Sequence, residues 1–210
     1  HNNFTINVGS QISMLDNKNN FEEKLMPDAN SSSVGTYAIM DYEKKNFGFN
    51  SGLRLDNKTI TSKDISSNID YDNKFSSTSF STGIYYKKLD HVLRFTYSGA
   101  FRAPHFSELF SDGVHHGTNR YEIGNQNLNI EYSNQFDLKY QWSNEHIAFV
   151  VNPFIQYIED FISIEPTDTY SGRYKVYNYV QFKEVEISGV EMNIHYHPHQ
   201  LHNLHFEQGY

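Results

Sequence analysis

The feature that most constrains this chain is a period of two. Phe4, Ile6 and Val8 alternate with Asn3, Thr5 and Asn7. Phe47, Phe49, Leu53 and Leu55 take one parity while Asn50, Arg54 and Asp56 take the other, and Phe136, Leu138, Tyr140 and Trp142 repeat the pattern later. Successive side chains of an extended chain point to opposite faces, so each run predicts a strand that is apolar on one side and polar on the other. No apolar run approaches the eighteen residues or so of a membrane helix. A mean hydropathy of -0.66 still leaves a membrane β-barrel open, because its strands give every second residue to a polar lumen. Aromatic residues make up 16% of the chain, which suits ring girdles at two membrane interfaces and equally an aromatic-rich soluble β protein.

Taken in order, about nine strands are predicted, and their connections keep step with strand parity. Long polar excursions at 14–32, 57–73, 103–130 and 164–172 alternate with short turns at 43–46, 88–91, 143–145 and 197–200. Outer-membrane barrels connect strands in this way, with long loops outside and short turns in the periplasm, and a soluble sandwich has no need to. The alternation requires 174–196 to be one strand, with Gln181-Phe182-Lys183-Glu184 in its middle as a bulge rather than a turn. The fold class expected is therefore all-β, an antiparallel up-and-down transmembrane barrel of which these strands are an incomplete part. An odd strand count does not close a single-chain bacterial barrel, so the open sheet edges are expected to need cover.

The stretch from 101 to 138 is too long for a hairpin connection, and a loop of this kind on a β scaffold commonly carries function. It reads Phe101-Arg102-Ala103-Pro104, then Ser107-Glu108-Leu109, then Asn125-Gln126-Asn127-Leu128. These segments resemble, in order and spacing, the paired FRAP and NPxL boxes of TonB-dependent outer-membrane receptors. Gly189-Val190-Glu191 is similar to a late-strand sequence of the same family and favours the bulge. The resemblance covers essentially 1–210 and implies part of the barrel domain, with the plug domain and the remaining strands lying elsewhere. It also implies location in the bacterial outer membrane, contact with its lipid, and energy from the TonB complex acting through that plug. Gln126 stands where the family usually has Pro, and Ile130 where another Pro often precedes Glu131; loss of those rings is expected to loosen the return path of the loop.

Candidate ligand residues concentrate in this loop. His115 and His116 are adjacent, and neutral imidazole is the commonest protein ligand for zinc. Glu122 is a candidate oxygen ligand beside them, with Asp112 nearby. The wording Gly113-Val114-His115-His116-Gly117-Thr118, followed by Tyr121-Glu122-Ile123-Gly124-Asn125, is similar to a branch that includes zinc-uptake receptors, while related haem receptors hold an axial histidine between the boxes. The candidates for ligand contact are thus His105, His115, His116, Tyr121 and Glu122, and those for metal contact His115, His116 and Glu122. The plainer alternatives are that the histidine pair shapes the loop by hydrogen bonds, that His105 caps it, and that the carboxylates are solvated. A second group (His195, His197, His199, His202, His205) falls by parity at the periplasmic rim, away from ligand capture. Glu22, Glu23, Asp28, Asp64, Asp70 and Asp72 are expected to overhang the vestibule and concentrate cations there. Arg54 and Arg102 fall on polar strand faces, where their expected partners are carboxylates of the lumen or the plug.

A formal charge of -8 argues against nucleic acid as a partner and suits cations. The lack of cysteine removes disulfide frameworks and Cys-based zinc or redox centres. The start, His1-Asn2-Asn3, shows no export signal, which is expected to have been removed or to lie outside this stretch. Neither Gly-x-Ser-x-Gly nor His-Glu-x-x-His occurs, so no enzyme is expected. The reading is an outer-membrane importer of a metal ion or metal chelate, zinc or haem iron, with no intrinsic cofactor. The alternative is a secreted or surface-attached all-β binding module for glycan or protein.

Overall fold

The structure, a computed structural model, describes residues 3–19, 24–64, 69–196 and 206–209. Strands β1 (Phe4–Asn17), β2 (Ala29–Lys44), β3 (Phe47–Asp64), β4 (Ile69–Lys88) and β5 (His91–Arg102) form an antiparallel meander. A short helix α1 (Phe106–Phe110) and a hairpin of β6 (Asp112–His115) and β7 (Arg120–Ile123) follow. The meander then resumes with β8 (Glu131–Ser143), β9 (Ile147–Ser171), β10 (Tyr174–Tyr196) and β11 (Phe206–Gly209). Leaving out the hairpin gives the nine expected strands, with β8 paired to β5.

Register converts the period of two into two continuous surfaces. Phe4, Tyr42, Phe49, Ile84, Phe95 and Leu138 stand in one row across six strands, and Phe47, Tyr86, Leu93, Tyr140, Val151 and Met192 in another. Most of these side chains are exposed, Ile84 at 59% and Phe47 at 66%, so the face has no second layer over it. Asp41, Asn50, Gly83, Thr96 and Asp137 form a row on the opposite face. A two-layer soluble module would bury the first set between sheets; one sheet with a bare apolar face and a polar reverse is barrel wall. No helix among the described residues is long and apolar enough to cross a membrane, which leaves crossing by strands untouched.

Two expectations about the strands change. Much of 57–73 and nearly all of 164–172 are strand, as are both ends of 14–32: β1 runs to Asn17 and β2 starts at Ala29, β3 runs to Asp64, and β9 runs to Ser171 with a two-residue turn into β10. Ladder hydrogen bonds are made by the backbone, so a hairpin rising into water on both faces keeps its pairing although its side chains read as loop. The segment 174–196 is one strand, but pairing runs in register past Gln181–Glu184, and the irregularity lies between Lys175 and Tyr177, where two extra residues of β9 are accommodated. Glu22, Glu23, the turn at 197–200, and His197, His199, His202 and His205 lie outside the described residues.

The core sits at the long-connection end. On β3 and β4 the face that carries Arg54, Asp56 and Ser79 lower down carries Ile60, Tyr71 and Phe75 higher up. These residues bury Phe106, Leu109 and Phe110 of α1, together with Ala103 and Leu128. The segment between β5 and β8 is therefore folded down onto the interior face of the sheet. Asp70 and Asp72, of opposite parity to Tyr71, are exposed on the other face and do not overhang the interior.

Candidate functional site

The two sequence boxes are joined through one guanidinium. Arg102, at the end of β5, donates its Nε to Glu131 at the start of β8 and its Nη1 to both oxygens of Glu108, at 2.9 and 2.8 Å. Glu131 also accepts the backbone N–H of Ile162 on β9. Those carboxylates raise the Arg102 pKa and hold it charged. A forked cation suits this place because it reaches two carboxylates on different elements at once. Arg54 pairs with Asp56 on its own strand, at 2.7 Å through both Nε and Nη2. The expectation that both arginines meet carboxylates on the interior face is met.

His105 is the N-cap of α1. Its ring accepts from the Ser107 N–H, and Glu108 accepts the His105 backbone N–H at 2.7 Å, a capping box with imidazole in place of the usual hydroxyl. The sequence carried this signal in His105-x-x-Glu108 and in apolar positions 106, 109 and 110. Behind the helix the chain passes at Gly124, where an added Cβ would lie 2.6 Å from the Phe110 backbone nitrogen, so only glycine permits the crossing. The return path is held where proline is missing. Gln181 of β10 donates to the Asn129 carbonyl at 3.1 Å, accepts the Asn129 N–H at 3.0 Å, and donates to the Asp160 carbonyl at 2.6 Å. Leu128 is buried and Ile130 packs against the core, so the expected loosening gives way to a side-chain clamp.

The β6–β7 hairpin is attached to the upper edge of β10 by a parallel ladder of three pairs, Val176 to Tyr121 through Asn178 to Ile123. Glu122 secures it. Its side chain is 2% exposed, and Oε1 accepts from Arg120 Nε at 2.7 Å and His115 Nδ1 at 2.8 Å, while Oε2 accepts from the Tyr179 hydroxyl at 3.0 Å. Burial pushes this carboxyl up, but the hydrogen bonds from Arg120, His115 and Tyr179 outweigh it and hold it below the ordinary value of 4.5. Burial and the neighbouring Glu122 carboxylate push the Tyr179 hydroxyl up to about 12. An ionised Glu122 only accepts, so His115 carries its proton on Nδ1 when neutral and presents a lone pair on Nε2. The His115 side chain is 44% exposed. Tyr121 donates its hydroxyl to Asp112 at 2.8 Å.

The structure thus brings His115 and Glu122 together and sends His116 elsewhere, to a cavity of about 420 Å³ beside Lys24 and Arg173. Among the described residues no group of three or more His, Cys, Asp or Glu side chains is arranged to hold a metal ion. Arg120, Tyr179 and Gln181 were missed by sequence reasoning. Arg120 has a local signal, two positions from Glu122 on one strand face, whereas Tyr179 and Gln181 are reached only through β10.

A depressed carboxyl gives stability that is complete above its unfolded value and lost as pH falls through its folded one. Glu122→Gln is therefore expected to weaken amide-exchange protection of β6 and β7 by about 1–3 kcal/mol at neutral pH. The difference from wild type should shrink as pH falls below 4.5 and vanish once Glu122 is protonated in the folded state as well. A difference that persists at the acid end would show that the charge of Glu122 is not what binds the hairpin.

The model of the β-barrel of TonB-dependent receptors matches residues 2–210. The chain belongs to the TonB-dependent receptor family. Solved structures with the same fold include the hemophore receptor HasR of Serratia marcescens, in complex with its hemophore HasA and haem, at a TM-score of 0.76 and 15% identity over 93% of this chain and 37% of that one. The copper transporter OprC superposes at 0.76 with 14% identity over 94% and 33%, and the FrpB iron transporter of Neisseria meningitidis at 0.68 with 14% identity over 94% and 31%. This TonB-dependent receptor chain spans about a third of the length of each. TonB-dependent receptors are transporters rather than enzymes, and they have no intrinsic cofactor; a metal or haem they carry is cargo.

Proposed function

We propose that this chain is the part of a TonB-dependent receptor, in the bacterial outer membrane, that captures a metal ion or metal chelate at the cell surface for import. Zinc and haem iron are the cargoes the sequence suggests. The apolar strand face meets lipid, the site end faces outside, and a plug domain elsewhere in the receptor couples to the TonB complex. The observation that carries the reading is the His115 imidazole, half exposed, with Nδ1 held by a buried carboxylate. A carboxylate bonded to one ring nitrogen orients a histidine for a metal at the other and raises its basicity.

On this reading His115 is the direct metal contact and Glu122 acts behind it. His116 and Tyr121 line the approach, and His105 supports α1 below. The test is titration of the purified whole receptor with haem, ferric citrate and zinc, comparing wild type with His115→Ala. The variant is expected to lose about tenfold or more in affinity for the cargo that wild type binds. Equal binding by both proteins for every ligand removes His115 from the mechanism, and uptake that persists without TonB removes the coupling.

A further inference from the structure

The lysines of the short-turn end are sorted by the same parity as the strands. Lys44 is the Cα partner of Phe47 and Lys88 that of His91, and Lys44, Lys45 and Lys88 are all exposed. Phe47 pairs in turn with Tyr86, and His91 with Trp142, so Lys44 and Lys88 share the apolar outer face with a band of rings. Their neighbours Glu43 and Lys87 fall on the inner face and meet there: Lys87 Nζ lies 3.5 Å from Glu43, which also accepts the Tyr85 hydroxyl at 2.8 Å. Asp90 lines a separate hollow with Glu145 and His146. Among the described residues Lys44, Lys45 and Lys88 have no carboxylate partner, in a chain whose formal charge is -8. The two turns form one rim, because the Lys87 N–H donates to the Asn46 carbonyl at 2.7 Å and Asn46 Nδ2 to the Lys87 carbonyl at 2.5 Å. Lys45 at φ 55 and Leu89 at φ 52 occupy turn positions where Asn or Gly costs less. Leu89, at 90% exposure, returns no packing for that cost. At the other end of the same face charges of both signs are interleaved: Lys63 lies 3.8 Å from Asp70, and Asp70, Asp72 and Lys74 take successive outer positions of β4.

We propose that this rim binds the phosphate of an anionic phospholipid, phosphatidylglycerol, in the periplasmic leaflet, with Lys44, Lys45 and Lys88 as the cationic contacts and the rings beside its acyl chains. The proposal rests on the outer-membrane placement given above and is independent of the cargo. Rings gather at the boundary between hydrocarbon and headgroups. Lys88 stands two positions beyond Tyr86, roughly 7 Å along β4, which brings its ammonium from the ring band to the depth of the lipid phosphates. A lysine stem lies along apolar surface while its head stays in water, so Lys44 and Lys88 fit this boundary. Phosphatidylethanolamine carries an ammonium of its own and offers little net charge. Phosphatidylglycerol leaves its phosphate uncompensated, and each basic group beside an anionic leaflet adds about fivefold to the attraction.

The experiment titrates the whole receptor, delipidated in detergent, with phosphatidylglycerol and separately with phosphatidylethanolamine, and counts bound lipids by native mass spectrometry. Wild type is expected to bind phosphatidylglycerol about tenfold or more tightly than phosphatidylethanolamine. Lys44→Gln/Lys45→Asn/Lys88→Gln should lose that preference and keep its affinity for phosphatidylethanolamine. Asparagine accepts the positive φ at position 45, so the turn is retained. Should the triple variant fail to fold, Lys88→Gln alone is expected to lose about fivefold of the preference. Lys44→Arg/Lys45→Arg/Lys88→Arg should keep the preference, and so should Lys63→Gln/Lys74→Gln at the opposite end of the same face. A preference that survives loss of the lysines overturns the proposal, as does one lost equally in the Lys63 and Lys74 variant, which would report net charge alone. Displacement of the lipid by millimolar inorganic phosphate overturns it too, since the rim would then be a site for free anions. Equal binding of both lipids by wild type overturns the proposal and leaves the membrane placement standing, whereas binding of neither overturns both.

Discussion

Phe110→Ala is expected to detach the segment between β5 and β8 from the interior face of the sheet. Phe110 is 2% exposed and packs edge-on to Tyr71 at 5.1 Å, with Leu109 at 1% and Phe106 at 3% beside it. These side chains fill the site where β3 and β4 turn apolar surface inward, and no second layer stands behind them to collapse into the space. Removing a buried phenyl ring costs about 3–5 kcal/mol in transfer and cavity terms. The cost should appear locally, because the strands below are held by their own ladders, not by this cluster. Amide exchange of residues 106–128 should accelerate roughly a hundredfold to a few thousandfold, while β1 and the lower half of β3 remain as protected as before. Uniform acceleration along the whole chain would mean that the cluster is a global core and the segment is not a separable lid.

Arg102→Ala should have the second largest effect. The guanidinium is 44% exposed, but Glu131 beneath it is 9% exposed, and removing the arginine leaves that carboxylate buried with the Ile162 N–H as its remaining donor. Losing one partner of a buried ion pair costs about 3–5 kcal/mol, and exposure of the arginine brings the expectation to about 2–3 kcal/mol. Glu108 keeps the His105 N–H, so α1 itself should persist while its anchorage to β8 fails. Arg102→Lys should recover little, since a single ammonium cannot reproduce the fork to two carboxylates. Arg102→Ala/Glu131→Gln should recover more than half of the loss, because the glutamine oxygen still accepts from Ile162 and no charge is left buried. The measurement is proteolysis of the 103–130 segment across the four proteins. If the double variant is cleaved as fast as Arg102→Ala, the buried charge is not the source of the effect.

The same two residues explain how much could be read in advance. Phe101-Arg102-Ala103-Pro104 and the residues before Glu131 were legible as paired boxes, yet their reason for being paired, one guanidinium between Glu108 and Glu131, is a contact over 29 positions. His115 and Glu122 were legible as candidates. That the carboxylate serves the imidazole, and that His116 turns to a different cavity, follows from the β6–β7 hairpin pairing with β10. The upper ladders were misread as loops because serine, asparagine and aspartate ordinarily signal turns, and nothing local says that their backbones are already paired.

By itself the sequence determined the strands, their parity and their order, because the alternation of apolar and polar residues is a local consequence of extended geometry and a one-residue slip would reverse every side chain. It also pointed to the end that carries the candidate site, through the one long stretch between β5 and β8. Only the tertiary structure decided what the site is made of. Burial of Glu122, the clamp by Gln181, the inward turn of apolar surface at Ile60, Tyr71 and Phe75, and the gathering of Lys24, His116 and Arg173 all join residues far apart in the chain. Such joins depend on how the hairpins dock in three dimensions, and the period of a strand carries no record of that docking.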